Sequence, residues 1–134
     1  MKKIVKILMV ASMLIGVQSL SAGESTVIDL TRKNFQHVIS ANKPVLVKFW
    51  ASWCGPCRKM TPKFKKVAKS YTKKMIFAEL NVDDQRAIAK AYKVRSIPTT
   101  ILFINGKEMD RITGGLDTKQ IKYWASEIVR GRYN

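Results

Sequence analysis

Cysteine is scarce in this chain: two among 134 residues, Cys54 and Cys57, three positions apart. A small secreted domain stapled by disulfides needs several pairs. This fold must therefore rest on an apolar core, for which a hydrophobic content of 46% is ample. Histidine is scarcer still, with His37 alone. A structural zinc site takes four ligands, so the Cys-x-x-Cys motif is not half of a metal site. There is no internal repeat and no linker, and 134 residues suit one domain rather than two.

Acidic residues are the third shortage. Nine Asp and Glu face 25 Lys and Arg, giving a formal net charge of +16. Many of the cations fall between Arg58 and Lys74. They surround a helical pattern and are not interleaved with aromatics as a basic arm, so no nucleic-acid module is present and none is expected as a partner. A surplus of this kind modulates encounter with anionic partners or surfaces rather than chemistry.

The apolar run Ile7 to Val17 is shorter than the roughly 20 residues of a membrane-spanning helix. It follows Lys2, Lys3 and Lys6 and precedes small and polar residues from Gln18 to Gly23. That layout is a secretory signal peptide over residues 1–23, with cleavage after Ser21 or after Gly23, and leaves one domain over residues 24–134. No cysteine stands at the junction to carry a lipid. The expectation is a soluble protein, periplasmic or secreted once the leader is removed.

Downstream, Val27 to Leu30 reads as an edge strand and Thr31 as the N-cap of a helix through Phe35, Val38 and Ile39, broken at Asn42-Lys43-Pro44. Val45 to Trp50 is a strand interrupted only by Lys48. A helix is expected from Pro56 to Tyr71, burying Met60, Phe64, Val67, Ala68 and Tyr71, with a kink at Pro62. Met75 to Val82 is a second buried strand, and Asp83 to Tyr92 a helix with Ile88 and Ala91 inward. Thr99 to Ile104, Asn105-Gly106 and Glu108 to Thr113 form a hairpin. Asp117 caps a last helix carrying Ile121, Trp124, Ala125 and Ile128 on one face. Trp50 and Trp124 are assigned to the core and His37 to the surface.

A thiolate attacks disulfides and a thiol does not. Cys54 stands where the helix begins, so unpaired N–H groups and the helix dipole favour its anion, and Pro56 fits the first turn. Cys54 is therefore the nucleophile. Cys57, one turn on and more buried, is the resolving thiol that displaces the substrate from a mixed disulfide.

The segment Phe49-Trp50-Ala51-Ser52-Trp53-Cys54-Gly55-Pro56-Cys57, with Pro62, Ser96-Ile97-Pro98-Thr99 and Gly114-Gly115, closely resembles the thioredoxins. The resemblance covers Val27 to about Val129 and implies an α/β thioredoxin fold, a central five-stranded mixed β-sheet flanked by four α-helices. It implies a cis Pro98 against the cysteine pair, with the Ile97 backbone pairing with substrate and Trp53, Gly55, Pro56 and Gly114 bordering the groove. No cofactor is implied beyond the redox-active Cys54–Cys57 disulfide. One departure stands out. Thioredoxins usually bury an aspartate before the active site, paired with a lysine on the next strand; here Lys48 and Glu79 occupy those positions, in reverse. Glu79 becomes the candidate proton acceptor and Lys48 its candidate charge partner, since a buried charge needs a counter-charge.

The function implied is a thiol-disulfide oxidoreductase that reduces disulfides in exported proteins as a monomer, fed by a membrane thiol-disulfide electron donor. The alternatives are a net oxidant or isomerase of periplasmic disulfides, and a binding module that uses the fold without turnover.

Overall fold

The computed structural model describes residues 26–134. The expected leader lies outside these residues. Nine elements follow in chain order: β1 (Val27–Asp29), α1 (Phe35–Ile39), β2 (Val45–Trp50), α2 (Gly55–Ala68), β3 (Ile76–Asn81), α3 (Arg86–Ala91), β4 (Thr99–Ile104), β5 (Lys107–Thr113) and α4 (Thr118–Val129). The strands form one sheet in the order β1-β3-β2-β4-β5. β3 pairs in parallel with β1 and β2, and the other two pairings are antiparallel. Five mixed strands and four helices are the architecture the resemblance implies.

Alternation along β2 distributes the core. Val45, Val47 and Phe49 point to the face covered by α1 and α3, where they meet Phe35, Ile39 and Ala89. Leu46 points to the other face, against Met60 and Phe64 of α2 and Trp124 and Ile128 of α4. Both faces are buried, which is why β2 reads as an almost unbroken apolar run. Among the described residues no helix is long and apolar enough to cross a membrane.

The structure adjusts several sequence-based boundaries. Thr31 is not the N-cap of α1, a position that falls to Asn34; it opens the turn before it, its Oγ1 accepting from Lys33 N–H at 3.3 Å while Asn34 Oδ1 accepts from Thr31 N–H at 2.8 Å. Regular α-helix starts only at Phe35. Helix α2 runs unbroken across Pro62 and ends at Ala68 rather than Tyr71, because the N–H groups of Ser70 and Tyr71 bond three residues back, to Val67 and Ala68. Helix α3 begins at Arg86, not Asp83, since Asn81 Oδ1 takes the Asp83 N–H and draws that stretch into a loop. Within α3 the inward residues are Ala89, buried, and Ile88, half-buried; Ala91 is exposed, contrary to the expected pattern. Asp117 caps α4 in a reciprocal capping box with Gln120. His37 is exposed and Trp124 buried, as expected, whereas Trp50 is only half-buried and packs against the cysteine pair.

The hairpin turn has positive φ at both central residues, 51° at Asn105 and 79° at Gly106, as an Asn-Gly turn of the primed type requires. The Gly106 N–H also donates to the Ile39 carbonyl at 2.9 Å, tying the turn to the end of α1. A Cβ at Gly106 would sit 3.0 Å from Ser40 Oγ. Gly106→Ala is therefore expected to lower stability by about 1–2 kcal/mol, the cost of a left-handed non-glycine residue, as read by urea denaturation.

Candidate active site

β2 delivers the chain at its C-terminal end to a turn from which α2 departs, and the two cysteines occupy that junction. Cys54 is the N-cap residue of α2, with extended backbone (φ −82°, ψ 111°) and a proline in the first turn. The Cys57 N–H donates to Cys54 Sγ at 3.2 Å, so sulfur does the work that a serine or aspartate oxygen does at other helix starts. The two cysteines are joined as a disulfide. Cys57 has no exposure and Cys54 only 5%, so the resolving sulfur is the deeper of the two. No acidic residue lies in the first turn of α2 to oppose an anion there.

The Ile97–Pro98 peptide is cis, and it brings the Ile97 carbonyl oxygen to 3.8 Å from Cys54 Sγ. Pro98 is buried, while Ile97 is half-buried and packs on Ala51 and the cysteines. The Gly114 N–H donates to the Pro98 carbonyl at 2.8 Å, and Gly114 has φ of 104°, open to glycine alone. Trp53 is 68% exposed, yet its indole N–H donates to Asp83 Oδ2 at 2.9 Å, which holds a large apolar surface upright beside the disulfide. On the opposite flank Pro56 forms the wall of a shallow groove with Lys59, Met60, Gly115 and Leu116. A side chain at Gly55 would meet nothing within 4 Å, so the Gly-Pro dipeptide leaves the approach to the sulfurs open. Among the described residues no group of three or more His, Cys, Asp or Glu side chains could hold a metal.

Beneath the site Lys48 and Glu79 face each other across the β2–β3 register, with Nζ 3.2 Å from Oε2 and side-chain exposures of 0% and 11%. The contact is an ion pair and not an aligned hydrogen bond, for Oε2 makes none. The Lys48 ammonium instead donates to Thr61 Oγ1 at 2.8 Å, and Thr61 donates to the Cys57 carbonyl at 3.1 Å. Glu79 does not reach the cysteines through any such link. It opens onto a separate cleft shared with Asp29, Trp50, Asn81 and Asp84. Burial pushes the Lys48 ammonium below its ordinary 10.5; Glu79 opposes that shift and Lys65 adds to it.

Sequence reasoning missed Asp83, Thr61 and Ala51, whose carbonyl accepts the Cys54 N–H at 3.2 Å. Thr61 could have been found: it follows Cys57 by four residues, the spacing at which a threonine hydroxyl returns to a helix carbonyl. Asp83 could not, because its place beside Trp53 depends on how the loop after β3 departs from helix.

Two outcomes test the buried pair. Lys48→Met leaves Glu79 with an uncompensated, largely buried charge and should cost about 3–5 kcal/mol in chemical denaturation. The pH dependence has a definite sign. With its folded-state value depressed, Lys48 binds its proton more tightly in the unfolded chain, so its contribution to stability rises with pH in the window below 10.5. The stability of the wild type relative to the double variant Lys48→Met, Glu79→Gln should increase as the pH is raised toward 10.5.

Comparison with known proteins places this geometry. The thioredoxin family model matches residues 26–127. The chain is 39% identical over 101 residues to the thioredoxin of Alicyclobacillus acidocaldarius subsp. acidocaldarius, covering 75% of this chain and 96% of that protein. It is 45% identical over 94 residues to the thioredoxin of Chlorobaculum thiosulfatiphilum, covering 69% and 87%. The crystal structure of the Malassezia sympodialis thioredoxin (Mala s 13) superposes with a TM-score of 0.71 at 30% identity, over 77% of this chain and 90% of that one. The chain belongs to the thioredoxin family, and through its Cys54–Cys57 pair it is a thiol-disulfide oxidoreductase.

Proposed function

We propose that this protein is an exported reductase of protein disulfides. The observation that carries the reading is the position of the disulfide, with its outer sulfur capping α2 beside the cis-proline and its inner sulfur shielded one residue past Pro56. In the dithiol form the Cys54 thiolate attacks one sulfur of a substrate disulfide. A Cys54–substrate bond forms and the second substrate sulfur leaves as a thiolate. The Cys57 thiolate then attacks Cys54 Sγ, closing the internal disulfide and expelling the first substrate sulfur. One disulfide is consumed and one formed, so substrate is reduced as the protein is oxidised.

Substrate is held by its backbone. Among the described residues nothing accepts a hydrogen bond from the Ile97 N–H, so an extended segment around the substrate cysteine can pair there. Trp53 and the Pro56 groove flank that segment on either side. The leader over residues 1–23 supports export to the periplasm or beyond, and the open Gly-Pro dipeptide resembles that of reducing family members more than that of dedicated oxidants. Reduction outside the cytoplasm needs electrons from within, and a membrane thiol-disulfide donor would supply them. The exported substrates would be met by a monomer.

Two measurements test the reading. Acid quenching of intact cells, followed by alkylation with a thiol-reactive mass tag, should find Cys54 and Cys57 mostly reduced; a mostly oxidised pair would point to an oxidase or isomerase. Cys57→Ser should accumulate mixed disulfides with exported proteins on Cys54, and Cys54→Ser, Cys57→Ser should trap nothing. Full biological function in that double variant would make the protein a binding module.

A further inference from the structure

Between Asp29 and Glu79 the sequence holds no acidic residue. Most of the cations in that stretch belong to α2 and the turns after it, and the fold gathers them on one surface. Met60, Phe64, Val67 and Ala68 fix the buried side of α2. Arg58, Lys59, Lys65, Lys66 and Lys69 are all exposed and stand along its outer side at helical spacing. From Arg58 to Lys69 the row runs about 16 Å along the helix axis. Lys73 and Lys74, exposed in the turns before β3, continue it. Helix α4 shares a core with α2 on this side of the sheet and adds Lys119 and Lys122, also exposed.

Nothing on this layer neutralises them. Among the described residues the ion pairs are Lys48 with Glu79, Arg111 with Glu108, and Arg130 and Arg132 with Glu127, so none of the exposed α2 cations has a counter-charge. The acids of the layer are committed elsewhere: Asp117 accepts the Gln120 N–H as the cap of α4, and Glu127 is held by its two arginines. Around α1 and α3 charge is mixed instead, with Asp29, Asp83 and Asp84 exposed among Arg32, Lys33 and Arg86. A specific protein interface is built on apolar and aromatic anchors with charge depleted at its centre. The α2–α4 layer has the reverse composition. Of the large apolar side chains exposed among the described residues, Trp53 belongs to the site and Ile28 and Met109 lie on edge strands; only Tyr123, 63% exposed, stands on this layer, one residue past Lys122. An amphipathic ring among lysines suits the headgroup level of a bilayer, and clustered lysines hold anionic headgroups without a groove or a fixed partner geometry.

We propose that the α2–α4 layer is a docking surface for an anionic phospholipid membrane, held by charge at the headgroups and not by insertion. Cys54 caps the start of α2. With the axis of that helix along the membrane plane, the disulfide and Trp53 lie at the rim of the contact and stay open to a partner. A membrane thiol-disulfide donor and this protein then meet on a shared surface, at a higher effective concentration than in bulk solution. That use rests on the function proposed above. The docking itself does not, and vesicle binding and the redox state of the cysteines in cells are read separately.

The test is co-sedimentation with vesicles of equimolar phosphatidylglycerol and phosphatidylcholine, against vesicles of phosphatidylcholine alone. The full chain is expressed and used as cells process it, so binding by any retained leader shows on the neutral vesicles. At about 100 mM salt the wild type should partition at least tenfold more strongly onto the anionic vesicles, and at about 500 mM salt that preference should be lost. Lys66→Gln, Lys69→Gln, Lys73→Gln, Lys122→Gln in one chain should cut the anionic partitioning at least tenfold. Arg32→Gln, Lys33→Gln, Arg86→Gln, Lys90→Gln removes the same charge from the other side and should change it less than threefold. Equal losses in the two variants mean that net charge alone acts, and overturn the proposal. So does a wild type that binds both vesicles alike, or an anionic preference that survives high salt. Binding to an acidic protein or to nucleic acid with no vesicle preference overturns it as well. If the first variant does not fold, Lys66→Glu and Lys122→Glu carry the test singly; each should weaken partitioning threefold or more while Arg32→Glu does not, and no difference among the three overturns the proposal.

Discussion

The site depends on where α2 begins. A strand buried on both faces runs out at Trp50, and the helix that follows starts on sulfur, with the Cys57 N–H bonded to Cys54 Sγ. Everything else is arranged around that start. The cis peptide at Ile97–Pro98 closes one side, Trp53 anchored by Asp83 closes another, and α4 packs alongside α2 and fixes its direction. Because the outer cysteine is also the cap, its chemistry and the helix geometry are one interaction, and a change that moved the helix start by a residue would lose both.

The interior beneath the site is less economical. A fully buried lysine opposes the hydrophobic logic of β2, and its counter-charge offsets only part of the desolvation. Thr100, opposite Lys48 in the β2–β4 register, leaves its hydroxyl buried and without a hydrogen bond. Buried polar groups gathered under a catalytic pair are characteristic of sites where stability is given up for reactivity. Elsewhere the sheet shows no such concession, and the buried residues of its two apolar clusters are Val, Leu, Ile, Phe, Met and Ala, with Trp124.

The fold was legible where local chemistry and tertiary packing agree. The Asn105-Gly106 turn, the Asp117 cap, the apolar faces of α2 and α4 and the strands of the sheet follow from periodicity and turn residues. Legibility failed where a side chain diverted the backbone: Asn81 draws Asp83 out of helix, and the short α3 then buries Ala89 in place of Ala91. At the site, the reading of Cys54 and Cys57 comes from their place at the expected start of a helix, and that of the reversed Lys48 and Glu79 from the resemblance to the thioredoxins. What the sequence withheld was connectivity. Nothing in a string of residues says that the lysine bonds a threonine on α2 while its acidic partner looks outward to another cleft.

The sulfur cap has a reciprocal meaning. Folding and oxidation close a thermodynamic cycle, so the energy by which the folded chain prefers one redox form equals the energy by which that form prefers the folded chain. When Cys54 is a thiolate, the first turn of α2 is capped by an anion rather than by a neutral disulfide sulfur. Whatever the open N–H groups at the start of α2 contribute to a Cys54 thiolate, the thiolate returns to the stability of the folded helix, so the redox poise of the pair and the stability of that helix start are not independent quantities.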